Sequence, residues 1–278
     1  SEDDVVFSAA KLFFAYGLGN ALTFPMAVGA SAILLEGPPE PERINKIFLE
    51  EKPTLFFGVP TLFAMLLASD NLPTKDEHNV RLCISAGEPL PSDLLARWQG
   101  TFGVDILDGL GTTEMLHIFV SNRPDEITPG STGRVVPGYQ IRLINDNNEV
   151  CAPGEMGVLE VSGPSSALMY WGQRQKTKDT FKGTWTRTGD NYSISEKGVM
   201  TYGGRNDDML KVGGIYVSPF EVEAALIKHE AVLEAAVVGN NDQDGLVKPK
   251  AFIVLNKNFT GSDELASELI NFVKTNLA

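Results

Sequence analysis

The chain has 278 residues, 43% of them hydrophobic and 9% aromatic, enough to bury a large core and to build more than one domain. With 36 acidic against 23 basic side chains its formal net charge is −13, and no basic stripe stands out. That excludes a nucleic-acid surface or an anionic membrane surface as the organising function.

The two cysteines, Cys83 and Cys151, lie far apart inside predicted elements, so no disulfide framework is expected and a reducing, cytoplasmic compartment fits. No apolar run reaches the roughly 18 residues of a membrane span, and Ser1-Glu2-Asp3-Asp4 does not open a signal peptide. The expectation is a soluble chain with neither nucleic acid nor membrane as a partner.

Residues 5–35 are rich in Phe, Ala and Gly, and Ala27–Leu35 reads as a buried strand approached through Gly29. Pro38, Pro39 and Pro41 punctuate the chain, and Ile44, Ile47 and Phe48 then fall at helical spacing. Thr54–Val59 reads as a buried strand, with Pro60 opening the next helix. Arg81–Ser85 is a further strand that runs into Ala86-Gly87-Glu88-Pro89. Ser92 is a candidate N-cap for a helix with Leu94, Leu95 and Trp98 on one face, and Val104–Leu107 is the strand after it. Strand and helix alternate to about residue 110, the pattern of a mostly parallel sheet. Ligands bind such sheets beyond the carboxyl ends of the strands, which points to Ser85–Pro89 and Asp108–Glu114.

From about Gly130 to Gly203 short strand-like runs alternate with Gly, Pro, Asn and Asp turns, as in a small antiparallel barrel or sandwich. Beyond Arg205, Ser218-Pro219-Phe220-Glu221 forms a capping box with proline at the first helical position. Strands at Leu233–Val238 and Ala251–Leu255 follow. Ser262 caps a helix that should present Leu265, Leu269, Ile270 and Val273 on one face. The expected fold is α/β and α+β multidomain: an α/β parallel-sheet unit over 1–129, a small antiparallel β-barrel unit over 130–204, and a small mobile α+β unit over 205–278.

Asp108-Gly109-Leu110-Gly111-Thr112-Thr113-Glu114 is a glycine- and hydroxyl-rich loop that ends in a carboxylate behind a strand. Glycines let backbone approach a ligand, threonine bonds phosphate, and glutamate holds Mg²⁺ beside it. Taken alone, the loop is equally explained by an ordinary connection, and Thr188-Gly189-Asp190 by a turn. His78 and His229 lie outside any motif and read as surface residues.

In order and spacing, however, these blocks form a set. It comprises Phe14-Ala15-Tyr16-Gly17, Ser85 to Pro91, Gly111-Thr112-Thr113-Glu114, Gly154-Glu155 with Gly163, Tyr170-Trp171, Thr186 to Asp190, and Gly204 to Lys211. A chain carrying them resembles the adenylate-forming superfamily of acyl-CoA synthetases, luciferases and peptide-synthetase adenylation domains. Within it the chain is similar to the benzoate–CoA ligase branch, whose Met-Leu-His-Ile-Phe segment stands here as Met115–Phe119. The resemblance implies the adenylate-forming fold and an ATP-dependent reaction in two halves. A carboxylate attacks the α-phosphate of ATP to give an acyl-adenylate and pyrophosphate, and the thiol of coenzyme A then displaces AMP.

The same resemblance assigns roles. Thr113 would contact the α-phosphate, and Glu114 would hold Mg²⁺. Asp190 would accept both ribose hydroxyls, with Arg205 adding a ribose or phosphate contact. Gly87, Glu88 and Pro89 would form one wall of the adenine pocket, with Asp108, Gly109, Leu110, Gly111 and Thr112 completing the nucleotide loop. Leu110 stands where the family carries an aromatic that stacks on adenine, so the contact there becomes aliphatic. Tyr16, Ala86, Gly111, His117 and Ile118 would shape a slot for an aromatic acid, although by residue type alone His117 and Tyr16 read as packing side chains. Asp207 matches the hinge between half-reactions, and Lys211, Gly213 and Gly214 the loop that meets coenzyme A.

Two further family segments are not found in the sequence: the phosphate loop ahead of Phe14 and the lysine-bearing segment beyond Ala278. The chain is therefore expected to be a fragment of a longer ligase, with negligible adenylation activity alone. A 4-hydroxybenzoate-type ligase, an aryl-acid adenylation enzyme delivering to a carrier protein, and a non-catalytic nucleotide-binding module stay open as alternatives, as does a homodimeric assembly.

Overall fold

Five short apolar segments run as parallel strands: β1 (Val5–Ser8), β2 (Ser31–Ile33), β3 (Leu55–Gly58), β4 (Leu82–Ala86) and β5 (Ile106–Gly111). The computed structural model describes residues 1–206, 208–212, 215–241 and 246–277. Helices α1 (Ala15–Leu18), α2 (Phe24–Val28), α3 (Pro41–Glu50), α4 (Pro60–Leu67) and α5 (Ser92–Phe102) fill the connections, with a π-helical turn over Gly19–Thr23 between the first two. Strands β6 (Ile118–Ser121) and β7 (Arg134–Val135) then reverse direction and complete a seven-stranded sheet in the order β2-β1-β3-β4-β5-β6-β7.

The local causes are readable. Pro41 and Pro60 open their helices at a position that needs no N–H donor. Gly103, at φ 73, ends α5 in the left-handed conformation that a glycine takes without strain. An aromatic ladder fills the space between strands and helices. Phe7 stacks on Phe56 at 5.5 Å, Phe48 meets Phe56 edge-on at 5.0 Å, and Phe63 meets Trp98 at 4.8 Å, all fully buried.

Five expectations are corrected here. The strand expected over Ala27–Leu35 shrinks to β2, because residues 24–28 wind into α2 and Gly29 ends that helix at φ 74. β2 is the sheet's edge strand and is not buried. Pro91, not Ser92, stands at the N-cap of α5. Arg134–Val135 joins the first sheet and not the antiparallel unit that follows. His78 is a core residue: its ring stacks on Phe102 at 3.8 Å, Nε2–H donates to the Phe102 carbonyl at 3.1 Å, and Nδ1 accepts from the Val80 N–H at 3.1 Å. Cys83 lies in β4 and Cys151 outside any strand, and both are free thiols.

Strands β8 (Gln140–Ile144), β9 (Met156–Ser162), β10 (Phe181–Lys182), β11 (Trp185–Ile194) and β12 (Met200–Arg205) make a five-stranded antiparallel sheet, with helix α6 (Arg174–Thr180) leading into β10. Leu143, Leu159, Val161, Tyr192 and Met200 from this sheet pack with Met115, Phe119 and Val120, so the two sheets share one core. Inside β11 the register shifts on both sides of Thr188–Asn191. The Thr-Gly-Asp segment is thus a bulge in a continuous strand, with Gly189 at φ 81.

The last part is α+β. Strands β13 (Leu210–Val212) and β14 (Ile215–Val217) pair, and helix α7 (Pro219–Ile227), strands β15 (Val232–Asn241) and β16 (Val247–Leu255), and helix α8 (Asp263–Leu277) follow. Ser218 Oγ accepts from the Glu221 N–H at 3.3 Å, and Ser262 Oγ from the Leu265 N–H at 3.2 Å, so both predicted caps form. Leu226, Val232, Val237 and Leu269 make a small core, which Leu265 and Val273 extend, while Ile270 turns outward against expectation. His229 is half-buried, against Glu268 Oε1 at 3.3 Å and edge-on to Phe272 at 5.0 Å, and is not the bare surface residue expected. Asp207, Gly213 and Gly214, and the side chain of Lys211, lie outside the described residues. Among the described residues no helix is long and apolar enough to cross a membrane. The chain is α/β and α+β multidomain, the class read from its sequence.

Replacing Phe56 with Ala should cost about 3–5 kcal/mol, because the ring touches three other buried aromatics and the sheet cannot collapse around the hole. Urea unfolding measures it, and a loss under about 1 kcal/mol would show that the ladder does not carry the core.

Candidate functional site

Parallel strands share a direction, so β1, β3, β4 and β5 deliver their carboxyl ends to one edge of the sheet. The segments that leave this edge, at residues 9–11, 58–60, 86–89 and 111–114, surround two cavities. One, of about 610 Å³, is polar and lies between the sheet and the bulge of β11. The other, of about 450 Å³, is apolar and lies between the sheet and α1. Gly87, Gly111, Thr112 and Thr113 line both.

All the residues assigned to nucleotide binding from the sequence line the polar cavity: Gly87, Glu88, Pro89, Asp108, Gly109, Leu110, Gly111, Thr112, Thr113, Glu114, Asp190 and Arg205. Their side chains are not all available. The Glu88 carboxylate accepts from the Thr61 N–H at 3.2 Å and hydroxyl at 2.7 Å. The Thr112 hydroxyl accepts from the Met115 N–H at 3.3 Å, capping the short turn Thr113–Met115. Thr188 Oγ1 donates to the Leu159 carbonyl at 3.1 Å and accepts from the Asp190 N–H at 3.1 Å, which fixes the bulge. That bulge aims Asp190 at the end of β12, where Arg205 Nη1 lies 3.5 Å from its Oδ1.

Asp108 is buried at the base of this cavity. The N–H groups of Gly109 and Leu90 and the Thr132 hydroxyl favour its charged form, yet burial prevails and pushes its carboxyl up to about 7 from 3.8. The Tyr170 hydroxyl donates to Glu114 Oε1. Burial, then this bond, raises the Tyr170 phenol above its ordinary value. The backbone around Tyr170 is fastened to the same turn: the Ala167 N–H donates to the Glu114 carbonyl at 2.8 Å, and Ser165 Oγ to the Met115 carbonyl at 2.8 Å. Lys176 of α6 rests over the Tyr170 ring at 4.3 Å.

The five residues assigned to the acid pocket, Tyr16, Ala86, Gly111, His117 and Ile118, line the apolar cavity together. The Tyr16 hydroxyl faces the Gly58 and Ile84 carbonyls at 3.3 and 3.2 Å, and burial holds its phenol far above the usual range. Burial also pushes His117 down to about 4, against the pull of the Tyr16 carbonyl, so the imidazole is neutral at physiological pH.

A family model described as AMP-binding enzyme matches residues 1–171, and one described as AMP-binding enzyme C-terminal domain matches residues 221–278. The chain belongs to the AMP-binding enzyme family. The benzoate–CoA ligase of Thauera aromatica is 56% identical over all of this chain and 53% of its own length. A 4-hydroxybenzoate–CoA/benzoate–CoA ligase of Rhodopseudomonas palustris is 53% identical over 91% of the chain and 47% of its own length. Among solved structures, a benzoate CoA ligase from Burkholderia xenovorans LB400 superposes over the whole chain and 56% of its own, at 54% identity and a TM-score of 0.93. The chain spans about half the length of the curated relatives it matches.

Sequence reasoning missed several residues of the polar cavity. Tyr170 and Arg187 stood in the motif blocks without a role, and both line it. Lys176 and Thr132 carried no signal, because α6 and the turn before β7 reach the cavity only through the packing of the two sheets.

The raised carboxyl of Asp108 has a thermodynamic consequence. The folded state keeps a proton that the unfolded chain has released, so stability falls as pH rises from about 4 to about 7 and levels off above. Asp108→Asn removes this slope. Its melting temperature relative to the parent should climb by at least ~4 °C between pH 4 and pH 8 in a thermal-unfolding series. A difference that stays constant with pH would overturn the assignment.

Proposed function

We propose that the chain supplies the nucleotide and acid sites of an AMP-forming acid–CoA ligase that activates benzoate or a close aromatic acid. The observation that carries this is the meeting of a polar and an apolar cavity at one strip of backbone, Gly111–Thr113. A reaction between a nucleotide phosphate and an aryl carboxylate needs such a junction. The names of its relatives, benzoate and hydroxybenzoate CoA ligases, support the same substrates.

In this reading Asp190 accepts the ribose hydroxyls and Arg205, beside it, adds a ribose or phosphate contact. Gly87, Glu88 and Pro89 flank adenine through backbone, with Leu110 and Asp108 near the base. Thr113 meets the α-phosphate. Glu114 suits Mg²⁺, which takes one or two carboxylates together with substrate phosphates; the ion would neutralise phosphate charge. Tyr16, Ala86, Ile118 and the neutral His117 enclose the ring.

The acid's carboxylate oxygen attacks the α-phosphorus of ATP, the bond to the bridging oxygen breaks, and pyrophosphate leaves. The thiol of coenzyme A then adds to the acyl carbon, the carbon–oxygen bond to AMP breaks, and the thiol proton is lost. We place the boundaries of three units at 1–129, 130–204 and 205–278, with β7 at the start of the second completing the sheet of the first. The pivot is Asp207, and Lys211, Gly213 and Gly214 are brought to coenzyme A by rotation about it. A cytoplasmic location suits these substrates.

ATP–pyrophosphate exchange with a panel of aryl acids, run on the full-length protein that carries this chain, tests the proposal. Exchange should be fastest with benzoate or 4-hydroxybenzoate, and exchange with no acid would sink it. Release of AMP that depends on coenzyme A separates this reading from delivery to a carrier protein. In the same protein Asp207→Pro should leave adenylate formation within about twofold and slow thioester formation at least ~10-fold, by fixing φ at the pivot. Equal loss of both half-reactions would count against the pivot.

A further inference from the structure

His117 enters the apolar cavity through a γ-turn. Leu116 sits at φ 69 and ψ −50, and the His117 N–H donates to the Met115 carbonyl at 2.9 Å. A non-glycine residue keeps this strained turn only where the surroundings enforce it. The turn aims the imidazole at the π-helical turn Gly19–Thr23, a rare, widened helical geometry found frequently at functional sites. Gly19 makes the approach possible, since a Cβ there would lie 2.3 Å from His117 Cδ2. The next residue, Asn20, is fully buried and sets its Oδ1 2.9 Å from His117 Nε2. The Phe24 ring meets the imidazole edge-on at 4.6 Å, and the Tyr16 ring lies at 5.4 Å.

Both polar groups of this segment that act on the imidazole, the Asn20 side-chain oxygen and the Tyr16 carbonyl, accept hydrogen bonds. Asn20 Nδ2 is buried and makes no hydrogen bond of full geometry, but the same amide acts on the Tyr16 hydroxyl, where its N–H favours the phenolate. An amide turned the other way would set Nδ2 against Nε2 and demand the opposite tautomer. Asn20 itself does not line the cavity, so its effect on a ligand passes through His117.

We propose that Asn20 is a positioning residue for the acid cavity: its buried amide oxygen, held by the π-helical turn, fixes His117 as the Nε2–H tautomer in one ring plane and so sets the cavity wall. The ligand effect rests on the aryl-acid reading above; the tautomer does not.

Long-range ¹H–¹⁵N spectra of the chain test it directly, because there are three histidines and His117→Gln assigns the resonance. The parent should show one neutral His117 tautomer with Nε2 protonated. Asn20→Asp, of the same size, should give a doubly protonated ring at neutral pH. Asn20→Leu should give both tautomers in exchange and weaken a benzoyl sulfamoyl-adenosine probe roughly fivefold, as the loss of one fixed hydrogen bond implies. Unchanged His78 and His229 signals certify the fold, and if neither variant folds the parent spectrum alone decides. A parent ring protonated on Nδ1, or a His117 signal indifferent to both substitutions, would overturn the proposal. The probe is titrated into the full-length protein that carries this chain, where a parent that fails to bind it defeats the aryl-acid reading and leaves the tautomer result standing.

Discussion

Where β5 ends, backbone touches backbone. A Cβ at Gly111 would lie 2.5 Å from the His117 carbonyl oxygen, and one at Gly109 would lie 2.8 Å from Ile118 Cδ1. The chain reverses direction here within a few residues, from a parallel strand into the antiparallel β6. A side chain at Gly111 would push the two strands apart, and one at Gly109 would displace the Ile118 side chain. Because none is present, a bare strip of main chain separates the two cavities and can be approached from either face. On one side it presents Thr113 and Glu114, on the other His117 and Ile118. The spacing of the two cavities, the γ-turn at Leu116 and the seat of the imidazole all follow from this contact.

Much of this was legible because the sequence carries its physics locally. Apolar runs such as LFFG and LCISA announce strands covered on both faces, and prolines at 41 and 60 announce helix starts. Thr188-Gly189-Asp190 read as a turn, and Gly189 does take a left-handed backbone. It serves a bulge in a ten-residue strand, and local sequence does not distinguish the two. His78 stands between Glu77 and Asn79 and looks exposed; only the fold of that loop over Phe102 buries it. The π-helical turn at Gly19–Thr23 has no signature in its letters, since its geometry answers to the imidazole that packs on it from a point 97 residues away. What the sequence hid were relations between elements, and these set Asn20 against His117 and Tyr170 against Glu114.

Two buried carboxylates near the polar cavity show different answers to the same cost. Glu160 is met by cations: Arg142 donates to its Oε2 through Nε at 2.9 Å and Nη2 at 2.7 Å, and Arg187 stands 3.8 Å from Oε1. Arg142 in turn lies 4.2 Å from the Trp185 ring centre. Such a cluster leaves Arg187 facing the cavity with its geometry fixed from behind. Asp108 has no cation among the groups that act on it, and it answers desolvation by holding its proton up to about pH 7. A carboxyl held that way can donate as well as accept, which a charged one cannot.

The pairing of Asp190 with Arg205 sits at a strand end with a particular neighbour. Arg205 closes β12, and a few residues later the chain begins the β13–β14 pair and the α+β unit. Tyr202 of the same strand meets Phe220 of α7 at 5.0 Å, and Gly204 lies against Ser218, where a Cβ would come within 2.8 Å of its hydroxyl oxygen. One short strand therefore feels both the polar cavity and the placement of the last unit. Thermodynamic reciprocity then applies: if a ligand held at Asp190 and Arg205 favours one placement of that unit, the same placement must favour that ligand by an equal free energy. β12 is the place where occupancy and orientation would be exchanged for one another.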